Sequence, residues 1–444
     1  MRLRGITAAA AAATALLLAG CGGSAGSDEP GPGGPSGTAS SGAPAKTAHA
    51  PEQALPDGFD AAGGWAVRSD EGLHDPVIDA RAGAVAFLAD EPGASDFRVR
   101  VRDLKTGAVR WSSSPLRPLD TAQSGMSFTP RLLVAAKDGK DYVAVLASGG
   151  VGGDGVDKPS SVMRLTVFAL DSSGAAAAPL RTVDVPAQDL SVADFRAQDD
   201  GRVVVPRSKG GVAVDIVSGA VTTYTADQLK APANAPGCRD SLADCDLLPH
   251  LVGVSGDGAL VNGEDAFWRT GGAGWFSAAA RPPQADAEYG SAEITAVTGG
   301  RVLARWEAQN GLAFPSVVSV SDLASGALTA SVLCTGGRDT NVRTSADGRY
   351  LAAGTAVFDL RQNKGYCFAE TPQHNALTVQ SVDDAHGIAY AMTDGKTPAR
   401  ITLADGRTEA LPQGTAIPRD VAAGMGMFTD NQPEGFSAAF YPVR

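Results

Sequence analysis

One short phrase constrains this chain more than any other feature: a strand, then Asp-x-x-Ser/Thr-Gly, then a second strand. It is written at Asp103–Gly107, Asp215–Gly219 and Asp322–Gly326. Looser copies stand at 169–183, 357–368 and 401–411, and a degenerate one at 267–277. The aspartate accepts hydrogen bonds from backbone N–H groups two or three residues on, and the glycine takes a positive φ that a β-carbon resists. Each copy therefore joins two neighbouring antiparallel strands.

Upstream of several copies lies another strand pair. In 344–360 a turn at Asp347-Gly348 is followed by strands over 350–354 and 355–360, and 254–268 follows the same grammar. The unit is thus four strands in roughly 40–55 residues. A lone four-stranded sheet leaves both faces wet, whereas sheets packed side by side around an axis cover one another. The expected fold is all-β, a single β-propeller of four-stranded blades over 58–444. The phrases supply seven blades. Segments 421–430 and 435–444 lack an outer partner, which 63–70 can provide, so that both chain ends build the closing blade. That makes eight blades, or seven if the phrase near Trp268 is only an insertion. Runs 84–90, 141–148, 165–170, 202–208 and 211–218 read as strands, 225–231 as a turn or one helical turn, and 148–161 and 229–249 as long loops.

Residues 1–20 are expected to be a targeting signal. Arg2 and Arg4 precede an apolar run over 8–18, shorter than the roughly 20 residues that span a bilayer. The run ends Leu18-Ala19-Gly20-Cys21, which resembles the bacterial lipobox. That resemblance implies cleavage before Cys21, a lipidated Cys21 thiol, and a chain held to the outer, extracytoplasmic face of the cell membrane. Two acyl chains supply enough buried CH₂ groups, at about 0.8 kcal/mol each, for stable anchoring. Residues 21–57 are dominated by Gly, Ser, Pro and Ala, a composition that cannot offset its own ordering entropy, so a tether is expected there. About 35 such residues have a mean span of roughly 30 Å.

The formal net charge is −12, and the signal removes two arginines and no acid. A negative field repels phosphate backbones, so nucleic acid is not an expected partner. Beyond Cys21 stand Cys238, Cys245, Cys334 and Cys367. An even number in an exported chain favours disulfides, and four cysteines allow three pairings. Cys238 and Cys245 flank a short stretch and can close a small loop, leaving Cys334 with Cys367. The alternative for the first pair is a metal site, which neither CxxC spacing nor a histidine cluster supports.

The segment DLKTGAVRW, 103–111, resembles quinoprotein-like propeller repeats, and SADGRYLAAG, 345–354, is similar to the strand pairs of WD40-like and TolB-type propellers. With the lipobox, the chain resembles the propeller lipoproteins of high-GC Gram-positive cell surfaces. In the quinone-dependent dehydrogenases, tryptophan docking motifs recur in most blades. Here Trp111 is the one tryptophan expected in that place, and no quinone site or other cofactor carries over.

Several residues are candidate sites. Asp383, Asp384 and His386 stand together, a grouping suited to acid–base work or to a propeller turn. Trp268 and Trp275 flank a glycine-rich stretch and are candidates for a ligand surface. Gly152–Asp157 matches one copy of a calcium β-roll pattern that needs stacked copies, so it reads as a glycine loop. His49, His74, His250, His374 and His386 are scattered without metal-ligand spacing, and no metal is expected. No nucleophile elbow or phosphate loop occurs, so no catalytic residue is assigned. The expected role is a membrane-anchored binding module for a protein, peptide or cell-envelope ligand. The alternative is a propeller enzyme, either a quinone-dependent dehydrogenase or a glycan-active hydrolase or lyase.

Overall fold

The computed structural model describes residue 51 and residues 53–444, apart from 94, 121–127, 154–155, 188–194, 232–248, 264–265, 273, 287–291, 310–314, 336–341 and 433–434. Its strands form eight sheets, antiparallel but for one added strand, seven of four strands and one of five. Their first strands are Leu73–Asp79, Phe128–Lys137, Arg196–Ala197, His250–Ser255, Ala292–Thr298, Val342–Thr344, Thr378–Asp383 and Asp420–Ala422. First strands of neighbouring blades lie side by side and form the inner wall of a propeller. The closing blade takes its outer strand, Trp65–Val67, from the N-terminal side, paired antiparallel with Gly435–Pro442. The eight-blade ring closed by both termini is therefore the observed fold, and the segment around Trp268 is a blade rather than an insertion.

Both faces of every blade are buried, and the cores show how. Ala84, Ala86 and Leu88 point towards blade 2, while Val85, Phe87 and Ala89 point back towards blade 8. Val203 and Val205 pack against blade 2, and Val204 against blade 4. The period-2 alternation is present, but both sides are apolar, which is why such strands read as continuous hydrophobic runs. Each of the eight blade junctions holds its own apolar cluster.

The turn phrases take the form their chemistry dictates. Asp103 Oδ1 accepts from the N–H groups of Lys105 and Thr106 at 3.2 and 2.9 Å, and Gly107 has φ +72°. Asp322 Oδ1 accepts from Ser325 N–H at 2.8 Å and from its hydroxyl at 2.7 Å. In the looser copy at 357–368, Asn363 holds the left-handed position at φ +52°, as a short polar side chain can.

These turns are also sockets. Trp65, on the outer strand of blade 8, donates from Nε1 to Leu104 O of the next blade at 2.9 Å. Trp111 donates to Leu170 O at 3.0 Å and Trp275 to Leu323 O at 3.1 Å. Arg181 donates to Val217 O and Tyr366 to Ala404 O in the same way at two further junctions. The expectation that Trp111 alone occupies a docking place is corrected: Trp65 and Trp275 do too. Where no such side chain latches a junction, another device does. Trp268 donates to Leu229 O at 2.9 Å across blades 3 and 4. A disulfide joins Cys334 on the outer strand of blade 5 to Cys367 on that of blade 6. Phe59 wedges between Tyr390 of blade 7 and Phe428 and Tyr441 of blade 8.

Other details depart from expectation. The strands Lys140–Val151 and Ser160–Ala169 run far into the segment expected as a loop over 148–161. Gly174–Ala177, inside the looser turn phrase at 169–183, pairs in parallel with Val109–Ser113 of blade 1 as a fifth strand. Small alanine side chains let that backbone lie flush and cover an edge that would otherwise be open. The turn at 225–231 is a single 3-10 turn over Ala226–Leu229. Cys21, Cys238, Cys245 and most of the 229–249 segment lie outside the described residues.

Candidate binding site at the mouth of the ring

Antiparallel order gives the ring two unlike faces. Each inner strand starts on the face that carries the blade-to-blade connections and ends on the face of tight turns. On the turn face, several basic side chains pair with acids. Arg110 meets Asp103 at 2.7 Å and Arg349 meets Asp359 at 2.6 Å, while Arg81 pairs with Asp141 and Lys137 with Asp215.

The connection face is built differently. Five inner strands carry a β-bulge, between His74 and Val77, Phe128 and Arg131, Leu251 and Gly253, Ile294 and Ala296, and Val379 and Ser381. A bulge adds an unpaired residue and re-aims side chains. Asp75 sits in the first bulge at φ +50°, directly before Pro76. That conformation is costly for a residue with a β-carbon, and more so before proline.

Around this mouth the inner strands of four blades bring charges together. Asp75 of blade 1 lies within electrostatic reach of Arg131 of blade 2 and Arg419 beside blade 8. Asp420 of blade 8 faces Arg419 and also Arg343 of blade 6, two blades away. Arg343 donates from Nε to Gln380 O of blade 7 at 2.9 Å. Asp75, Arg131 and Arg419 are exposed, while Arg343 and Asp420 are half-buried. The Arg419 guanidinium forms no ion pair with a described residue.

Titration in the cluster follows from these contacts. The His74 imidazole lies between Asp75 Oδ2 and Asp90 Oδ1, each at 3.3 Å. The hydrogen bond to Asp75, reinforced by Asp90, raises its pKa despite partial burial. The same bond lowers Asp75, and Arg131 and Arg419 lower it further. Burial pushes the Asp420 carboxyl up, against the pull of Arg343 and Arg419. Among the described residues, Arg131, Arg343 and Arg419 thus lie near Asp75, whose carboxyl is lowered, and Asp420, whose carboxyl is raised.

The sequence-predicted residues stand elsewhere. Asp383 and His386 are together, with Oδ2 to Nδ1 at 2.8 Å, but in a tight turn at the far end of the blade 7 inner strand. Asp383 also accepts from the His386 N–H at 3.3 Å, and Asp384 accepts from the Asp347 N–H of blade 6 at 3.0 Å. These are turn-closing bonds. Trp268 and Trp275 are not a ligand surface: they are 0% and 8% exposed, because each indole packs in a blade junction. The arginines of the mouth were missed. A signal for three of the charged positions is a proline beside a charge just where an inner strand begins: Asp75-Pro76, Pro130-Arg131 and Pro418-Arg419.

No family model matches the sequence, and no curated protein matches it. Among solved structures the chain is similar to the Cps50 (Swd1) β-propeller domain of Myceliophteria thermophila, with 11% identity and a TM-score of 0.43 over 85% of this chain and 98% of that one. It is similar to the computationally designed protein Ika8, with 12% identity and a TM-score of 0.43 over 84% of this chain and 96% of that one. It is also similar to BamB from Moraxella catarrhalis, with 12% identity and a TM-score of 0.42 over 85% of this chain and 98% of that one.

Proposed function

We propose that this chain is a lipid-anchored, extracytoplasmic β-propeller that binds a protein, peptide or cell-envelope ligand at the connection face of its ring. The observation that carries this reading is the mixed-charge cluster at the connection face, to which four blades contribute. There Asp75 lies within electrostatic reach of Arg131 and Arg419, and Asp420 within reach of Arg419 and Arg343. The Leu18–Cys21 box supports the anchor, and the Cys334–Cys367 disulfide supports an oxidising compartment. Two measurements test the reading. Radiolabelled palmitate should enter the wild-type chain and not Cys21→Ala. Crosslinking on intact cells should capture a reproducible ligand; failure of both sinks the proposal.

A second reading rests on His74, held between two carboxylates at the same mouth. An imidazole in that position suits proton transfer in a glycan-active propeller enzyme. It predicts turnover of a glycan panel by the purified ring, abolished by His74→Ala.

A further inference from the structure

We infer that a cleft on the turn face receives an aliphatic primary ammonium, presented as the end of a lysine side chain of a partner protein. This goes beyond the reading above, which concerns the other face. Three inner strands end side by side here: Arg196–Ala197 of blade 3, His250–Ser255 of blade 4 and Ala292–Thr298 of blade 5. Between their turns lies a cleft of about 100 Å³, and every residue that lines it is described. That is the volume of about three water molecules. Pockets that take whole small molecules run to roughly 300–1,000 Å³, so this one fits the end of a side chain. Glycines keep it open. The blade 4 turn pairs Ser255 with Gly258, and Gly299 and Gly300 of blade 5 both hold positive φ, at +57° and +63°. Asp257, the one large side chain in the blade 4 turn, is drawn off by Arg269 at 3.5 Å.

The polar groups of the cleft are acceptors in want of a donor. Gln198 is only 6% exposed, yet its carboxamide is loosely held. Nε2 donates to Ala197 O at 3.4 Å, and Oε1 accepts from the Val254 N–H at 3.5 Å, both at the outer limit of a hydrogen bond. Oε1 keeps a second lone pair for a ligand. At the rim stands Asp199, exposed and leaning towards blade 5, where a β-carbon on Gly300 would come within 3.9 Å of its Oδ2. The neighbouring Asp200 is engaged by Arg202, which also holds Gly256 O at 3.2 Å. Among the described residues the Asp199 carboxylate has no such partner. Buried Val254, Val297 and Leu323 form an apolar wall. An ammonium on a short stem satisfies both halves: its N–H groups meet Asp199 and Gln198, and its methylenes lie along the wall. A bare metal ion gains nothing from that wall, and a guanidinium is a planar fork that asks for more acceptors and more width. The net charge of −12 draws cationic partners to the chain.

The test uses the full-length chain in non-ionic detergent and three probes: acetyl-Gly-Lys-Gly amide, the same peptide with its lysine Nε-acetylated, and n-butylammonium. Saturation-transfer NMR, read from the probe signals, gives each Kd. The lysine peptide should bind with a Kd on the order of 1 mM, as one side chain in a small cleft allows. Acetylation removes the charge and should abolish binding. Asp199→Asn should weaken it about tenfold, the loss of one charged hydrogen bond. Asp138→Asn, at an exposed acid in the equivalent turn of blade 2, should leave it unchanged. Gln198→Met removes the inner acceptor at nearly constant volume and should weaken it severalfold. A circular dichroism melt confirms that each variant is folded, and exposed Asp199 is the position least able to disturb folding. Equal binding by wild type and Asp199→Asn, or equal binding of the acetylated peptide, overturns the inference. n-Butylammonium separates the sources: weaker binding than the peptide supports a lysine carried by a protein, and equal or tighter binding overturns that choice in favour of a free amine.

Discussion

Trp65 lies over Gly107 so closely that a β-carbon on residue 107 would come within 2.6 Å of the indole. This contact closes the ring, because Trp65 belongs to the last blade and Gly107 to the first. Gly107→Ala should therefore suffer twice. The backbone at φ +72° costs about 1–2 kcal/mol with a β-carbon, and displacing the indole costs about 1–3 kcal/mol more. Gly93→Ala is the matched control, with φ +75° and nothing within 4 Å of the added carbon. Urea denaturation should show the Gly107 variant losing clearly more stability than the Gly93 variant; equal losses would mean that the stacked tryptophan contributes nothing to closure.

Much of this fold was legible because its signals are local. The aspartate and glycine of the three strict turn phrases lie four residues apart, and the bonds they make are fixed by that spacing. The closing strand at 65–67 was legible for a related reason, since strands at the other end of the chain visibly lacked a partner. The mouth was not legible, because Arg131, Arg343 and Arg419 lie far apart in sequence and come near Asp75 and Asp420 only after the ring is built. Trp268 and Trp275 misled because glycines between them suggest exposure. Those glycines instead build the turn linking the third and fourth strands of their blade, while the indoles pack into the junctions. A neighbouring pair of tryptophans in a propeller is better judged by the socket available on the adjacent blade than by the polarity of its own sequence.

Cys334 and Cys367 tie two blades together at a junction where the docking position holds the small Ala330. The bond closes a segment with a sequence separation of 33, for which chain entropy gives about 3–4 kcal/mol of stabilisation. Cys334→Ala/Cys367→Ala should lose an amount of that order in denaturant unfolding. Wild type unfolded with reductant should shift towards the double variant. A double variant as stable as wild type would show that the apolar cluster between blades 5 and 6 holds the junction alone.

Phe59 precedes the ring yet is only 2% exposed, packed edge-on against Phe428 with centroids 5.1 Å apart. Gly426 leaves the room that its ring occupies. The segment from Ala54 to Phe59 therefore runs along the junction of blades 7 and 8, bridged to Thr415 and Val443. Phe59→Ala should cost about 3–5 kcal/mol and should open the neighbouring backbone. Limited proteolysis should then cut near residues 54–64 before the ring unfolds. A variant that is destabilised but cut no sooner there would indicate that the wedge acts on the ring and not on the attachment of the tether.

Lys137 of blade 2 and Asp215 of blade 3 form an ion pair with both side chains mostly shielded from water. Burial alone would raise the Asp215 carboxyl, but Lys137, the Ser218 N–H and the Ser218 hydroxyl outweigh it and hold it at about 2. A carboxyl lowered in the folded state binds its proton more readily when unfolded. Its stabilisation is therefore complete above a pH of about 4 and is lost as pH falls through about 2. Partial screening reduces the effect to about 1–2 kcal/mol. Lys137→Met should remove part of it, leaving the Ser218 bonds in place. Wild type and variant should therefore differ most near neutral pH and converge towards pH 2. If their stability difference instead stayed constant across that window, the methionine would be acting through packing and the ion pair would carry no pH-dependent stability.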